Sequence, residues 1–157
     1  MSIALKLFKK RMVICNWDTG THTYSDGDGY YDVKKIVTNA AEIEVQEVQV
    51  ELFREQLQEQ VWDDPFSRPI DIIKRMDTEV EYLDRLVAGH AKRIREADLQ
   101  FPVLVNIDTG LIIDGMHRLS KCFYYNIPTI LVKYISTDIM NKSRLSKEDE
   151  DMISGFE

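Results

Sequence analysis

Between Phe101 and Ile135 the spacing of apolar residues changes repeatedly, and each change marks an element. Phe101–Ile107 is a nearly continuous apolar run, as expected of a strand buried on both faces, and Asp108-Thr109-Gly110 is a tight turn. Leu111–Ile113 is a second short apolar run. From His117 to Tyr125 the period becomes helical, with Leu119, Cys122 and Phe123 on one stripe, and Asn126 stands where a left-handed residue would end the helix. Ile130–Ile135 is a third strand.

Upstream, Leu83, Leu86, Val87, His90, Ala91, Ile94 and Ala97 gather on one face at the 3.6-residue period, predicting a helix over Glu79–Ala97. Glu42–Val50 alternates polar and apolar residues, the period of a strand buried on one side, and Leu57 and Val61 suggest a short helix over Phe53–Val61. Met12–Trp17 reads as a strand, and Asp18-Thr19-Gly20 and Ser25–Gly29 read as turns between short strands. Asp26, Asp28 and Asp32 invite a calcium site. Their spacing lacks the alternating ligands and terminal Glu of a calcium loop, so a solvated hairpin turn is the plainer reading. Trp62–Pro65 and Ser67–Pro69 are a helix-breaking connection. We expect an α+β chain in three parts: a β-rich extension over 1–65 packed on the core, a core of small mixed sheet with helices over 66–136, and an acidic tail over 137–157. The tail's stretch from Lys142 to Glu157 is charged and expected to be mobile, although Leu145, Met152, Ile153 and Phe156 could dock a short helix.

Composition narrows the possibilities without deciding among them. A chain of 157 residues with 44% hydrophobic content can bury one ordinary core. No apolar run approaches a membrane span, and MSIALKLFKKR lacks the apolar stretch and cleavage site of a signal peptide, so a cytoplasmic protein without membrane contact is expected. Cys122, on the apolar stripe, is expected to be a buried thiol rather than half of a disulfide with Cys15. The net charge of −7 is uneven: Lys and Arg number seven against twelve acids in residues 1–65, ten against nine in 66–135, and three against six in 136–157. Contact with a polyanion would therefore have to be local.

The candidate chemistry lies in LIIDGMHRLSKCFYY, residues 111–125. A helix N-terminus carries free N–H groups and positive dipole, which favour acids, yet His117, Arg118 and Lys121 follow Gly115 here. That pattern points to an anion, with Gly115 letting backbone approach a phosphate. Arg118 offers a planar donor fork, and His117 could donate to the same oxygens or carry a proton. Asp114 could accept a proton from an attacking hydroxyl or simply cap the helix. Lys121 could reach a terminal phosphate or only cover the helix surface. Lys74 and Arg75 could approach a substrate phosphate or DNA backbone, or be solvated. His90 is either a hydrogen-bonded core residue or a group aimed into a cleft. Trp62 is either a core or lid aromatic or a platform for a base. Glu79 and Glu81 open a helix, where acids suit the dipole. No Gly-x-x-x-x-Gly-Lys-Ser/Thr stretch exists, which excludes a P-loop.

The Asp114-Gly-Met-His-Arg-Leu119 motif, with Lys121 and the later Ile127-Pro128, resembles the ParB/sulfiredoxin-like superfamily, in its Asp-Gly-x-His-Arg branch of free serine kinases and phage kinases of hydroxymethylated DNA bases. The resemblance runs from about Arg68 to Ser136. Arg93–Val105 looks like the family's helix-loop-strand, and Gln56–Trp62 with Pro69-Ile-Asp71 is similar to a stretch of phage members. It implies that Gly115, Met116, His117, Arg118 and Lys121 hold nucleotide phosphates. Asp114 and His117 would act in catalysis, and Glu79 stands in the neighbourhood of a Glu that assists the serine kinases. His90, Lys74, Arg75 and Trp62 are candidate substrate contacts. Met116 stands where sulfiredoxins carry a catalytic Cys, which removes the nucleophile for sulfinic acid reduction.

The implied activity is phosphoryl transfer from ATP or ADP with Mg²⁺ to a primary hydroxyl, on a hydroxymethyl base in phage DNA or on free serine, or else nucleotide hydrolysis. A phage-encoded enzyme would act in the host cytoplasm. The alternatives are a non-catalytic, nucleotide-gated DNA-binding module and a ParB-like nuclease. The residues after Ile135 are too few for the helix-turn-helix domain that partition proteins append, and a nuclease would want a more basic groove. No protein metal ligands are expected, and the oligomeric state is left open.

Overall fold

The computed structural model describes residues 12–16, 21–62, 68–78 and 85–154. Glu79, the first turns of the helix expected from it, Asp18–Gly20, Pro65 and Phe156 lie outside these residues. The chain is α+β, with two sheets. The first is an antiparallel meander of β1 (Met12–Asn16), β2 (Thr21–Ser25) and β3 (Tyr30–Asp32). The β2–β3 turn falls at Ser25–Gly29 as expected. Asp26 Oδ1 accepts the N–H groups of Asp28 and Gly29 at 2.8 and 2.9 Å, so this carboxylate builds the turn. Asp32 caps α1 (Val33–Asn39) through the Lys34 N–H.

The second sheet has the order β4-β7-β5-β6. β5 (Val103–Asn106) and β6 (Ile112–Asp114) form a hairpin, and α4 (Met116–Tyr124) carries the chain across so that β7 (Thr129–Ile135) lies parallel to β5. β4 (Gln46–Gln49) pairs antiparallel with the outer edge of β7. A strand expected in the N-terminal extension thus belongs to the central sheet. The expected helix over Phe53–Val61 is a 3-10 helix at Val50–Gln58. α2 (Pro69–Arg75) begins on the last residue of the stretch read as a connection, with Pro69 at a first-turn position where its missing N–H costs nothing. α3 (Arg85–Glu96) precedes the β5–β6 hairpin.

The sheet is covered on both faces, which explains the continuous apolar runs in its strands. Val103, Val105, Ile112 and Val132 meet α2, α3, α4 and the 3-10 helix in one core around Phe53, Ile72, Ile94 and Leu119. Leu104, Ile113 and Ile135 face a second core with Tyr24, Tyr31, Val33 and Ile36. That second core includes Ile139 and Met140 of α5 (Thr137–Lys142), so the first part of the expected tail is packed. Its apolar residues stand three and four positions after Ser136, whose hydroxyl caps the helix at the Ile139 N–H. Beyond it, α6 (Lys147–Ser154) leaves Met152 exposed. Cys122 is buried as a free thiol, and burial raises its pKa. Among the described residues no helix is long and apolar enough to cross a membrane.

Candidate functional site

Local geometry at the end of β6 follows from one glycine. Gly115 adopts φ 112°, and a Cβ there would stand 2.8 Å from Val103 Cγ2 and 3.2 Å from the Val103 Cα. Any side chain would be strained by the dihedral and blocked by β5 behind it. Gly115 is the N-cap of α4, no side chain caps that helix, and its first turn holds no acid. Asp114 therefore does not cap the helix.

The Asp114 carboxylate turns instead to side chains. Oδ2 accepts Arg118 Nη2 at 3.0 Å, and Oδ1 lies 3.7 Å from His22 Nε2. Arg118 Nη1 also donates to the carbonyls of Phe101 and Pro102, at 3.1 and 2.6 Å. This ties the start of β5 to α4. The Asp114 and Arg118 side chains remain 18% and 19% exposed, so an anion arriving at the surface can compete for the guanidinium.

His117 points elsewhere. Its Nε2 lies 3.0 Å from His90 Nδ1, and its ring stacks on Trp62 with centroids 4.6 Å apart. Trp62 also stacks on His90 at 3.9 Å. Burial, followed by the fields of His90, Arg93 and Arg118, pushes the His117 pKa down to about 3, so the imidazole is neutral at pH 7. In this arrangement His117 serves as a polar ring in the stack with Trp62 and His90. Trp62 and His90 are 5% exposed, which makes them core residues here and gives no open face for a base.

Lys121 Nζ donates to the carbonyls of Arg95 and Ala97, at 3.0 and 2.7 Å. It satisfies the C-terminal end of α3, an electrostatically favourable place for an ammonium. Lys74 and Arg75 lie exposed in the last turn of α2, where cations complement the dipole. Met116 is buried in the first core. Of the motif's residues, the structure thus brings Asp114, Gly115 and Arg118 together at the α4 N-terminus, with His117 one residue aside in the stack.

The chain matches no protein-family model, no curated protein and no solved structure.

Two residues of this region have roles that the sequence reading does not assign. His22 comes from β2, two positions before the buried Tyr24 and so on the same face of the strand. Gln56, buried in the 3-10 helix, donates to the Gly110 carbonyl and accepts the Ile112 N–H, each at 2.8 Å. It braces the β5–β6 turn that leads into Asp114. Neither contact is written locally, since each works across a long sequence separation.

Among the described residues no three or more His, Cys, Asp or Glu converge as a metal cluster. The chemistry on offer is an uncapped helix N-terminus, an exchangeable Asp–Arg pair and a nearby imidazole. Such a set can receive an anion, position it and take a proton.

Proposed function

We propose that the protein binds a nucleotide phosphate at the N-terminus of α4 and transfers a phosphoryl group from ATP or ADP to a primary hydroxyl, within a ParB/sulfiredoxin-like core. The observation that carries this reading is that α4 opens on a left-handed glycine with neither a cap nor an acid in its first turn, beside the exposed edge of the Asp114–Arg118 pair. Backbone N–H groups of the first turn and the Arg118 fork would hold phosphate oxygens, with Arg118 exchanging its contact to Asp114 for the ligand. Freed from Arg118, the Asp114 carboxylate supplies the negative charge that assists removal of the proton from the attacking hydroxyl. Mg²⁺ would arrive with the nucleotide and would neutralise part of its phosphate charge. A hydroxymethyl base in DNA or free serine is the acceptor class.

The readout is thermal unfolding against ATP, ADP and other nucleotides with Mg²⁺. A ligand at about 100 times its Kd adds about 2.7 kcal/mol. Arg118→Ala loses this ligand-induced shift, whatever it does to the unliganded protein through its carbonyl contacts. Asp114→Asn keeps the shift and loses transfer of labelled phosphate to serine, unmodified DNA and hydroxymethylated DNA. Flat melting curves for the wild type across the panel overturn the reading.

One observation favours a second reading, the non-catalytic nucleotide-gated DNA-binding module. Asp114 is already paired with Arg118, and His117 is stacked and neutral, so neither stands free for acid–base work in this arrangement. Nucleotide binding without transfer to any acceptor selects it.

A further inference from the structure

The imidazole that faces Asp114 belongs to neither the motif nor the central sheet. His22 reaches Asp114 from β2, with Nε2 3.7 Å from Oδ1, while Arg118 holds the other carboxylate oxygen at 3.0 Å. The carboxylate thus stands between the Arg118 guanidinium and a partly exposed ring, whose side chain is 30% accessible. Asp114, the last residue of β6, is paired through one oxygen with Arg118 of α4, and its second oxygen faces one nitrogen of His22. A carboxylate in that place orients an imidazole and stabilises its protonated form. The contact is long for a hydrogen bond, as catalytic contacts often are before substrate arrives.

We propose that His22 is the catalytic general base of the transfer reaction and that Asp114 acts through it; this rests on the phosphotransferase reading above. The acceptor's O–H bond breaks and its proton passes to His22 Nδ1, the nitrogen away from Asp114. The acceptor oxygen forms its bond to the terminal phosphorus as the bond from that phosphorus to the leaving nucleotide oxygen breaks. The departing nucleotide keeps that electron pair. The imidazolium, held against the Asp114 carboxylate, then returns its proton to water. The N-terminal sheet is in this way part of the site, because β2 supplies the group that the motif itself lacks: the His117 ring is engaged in its stack with Trp62 and His90.

The test uses the full chain, with His22→Gln and His22→Ala, ATP or ADP with Mg²⁺, and transfer to serine and hydroxymethylated DNA. Both variants keep the nucleotide-induced rise in Tm, which shows that the fold and the phosphate site are intact. Transfer falls by about 100-fold or more, the range removed with a general base. Free imidazole added to His22→Ala restores part of the rate, and leaves His22→Gln unchanged because the glutamine side chain still fills the place. Transfer within about threefold of wild type in either variant overturns the proposal, as does a failure of imidazole to rescue His22→Ala. Wild-type protein that binds nucleotide and transfers to no acceptor also overturns it, leaving nucleotide binding in place. Wild-type protein with no nucleotide-induced shift removes the proposal together with the reading it rests on, and the two failures are told apart by that shift.

Discussion

The imidazole of His117 shows how far burial can change a residue's role. A histidine at the start of a helix invites reading as a cation, yet stacking on Trp62 and contact with His90 take it out of water and hold it neutral. Its folded pKa of about 3 lies below the ordinary 6.5, so the unfolded chain binds the proton more readily. The stabilisation is therefore complete above about pH 6.5 and is lost as the pH falls toward 3. Between pH 7 and pH 5 this one group should remove about 2 kcal/mol of stability. His117→Phe keeps a ring in the stack and removes the titration, so its stability should fall less over that interval than the wild type's. Urea unfolding at the two pH values measures the difference. Equal losses in the two proteins would show that the ring takes up its proton in the fold as readily as in the unfolded chain.

At the scale of elements, α4 is held at both ends by different devices. It begins on Gly115, pressed against Val103, and ends in a left-handed Asn126 at φ 58°, with the Ile127 N–H bonded to the Cys122 carbonyl at 2.8 Å. That closing bond is the Schellman pattern, and it is why the helix stops where β7 must begin. Lys121, in the last turn of α4, also closes the end of α3 through the Arg95 and Ala97 carbonyls. Lys121→Met should keep the aliphatic stem, cost about 1 kcal/mol of stability by leaving those carbonyls to water, and preserve the nucleotide-induced shift. Chemical denaturation and ligand melts on the same variant separate the two effects. Loss of the ligand shift with unchanged stability would make Lys121 a phosphate ligand instead of a helix clamp.

For the whole molecule, the second core decides what counts as the folded unit. Residues from β2, β3, α1 and α5 close the face of the central sheet that α2, α3 and α4 leave open. Ser143 just beyond α5 accepts the Asp32 N–H through its carbonyl and the Asn39 side chain through its hydroxyl, stitching both ends of the described chain together. Met140 is 4% exposed, so Met140→Ala should cost about 2 to 5 kcal/mol, the range for emptying a core position. A mobile acidic tail would lose no more than about 0.5 kcal/mol from the same change. Equilibrium unfolding distinguishes these outcomes, and also tests whether the sheet needs its C-terminal cover.

What the sequence by itself determined is the set of features written in neighbouring residues. The turn at Asp26–Gly29, strands β5, β6 and β7, the stripe of α4, its end at Asn126 and the burial of Cys122 all follow from local period and side-chain chemistry. The seven-residue helices α1 and α2 escaped because so short a stretch shows barely two turns of periodicity, and Pro69 reads equally as a breaker or a first-turn residue. The Asp-Gly-Met-His-Arg motif marked the place of the candidate site, while the partners of its charges were invisible. A basic side chain looks the same in the sequence whether it meets a ligand, a carboxylate or a helix end. Only the tertiary structure gave Arg118 to Asp114, Lys121 to the carbonyls of α3 and His117 to the stack with Trp62 and His90, and brought His22 from another sheet to face Asp114. The physical reason is range: period and turn chemistry act over a few residues, whereas burial, desolvation and ion pairing depend on which distant segments the closed core brings into contact.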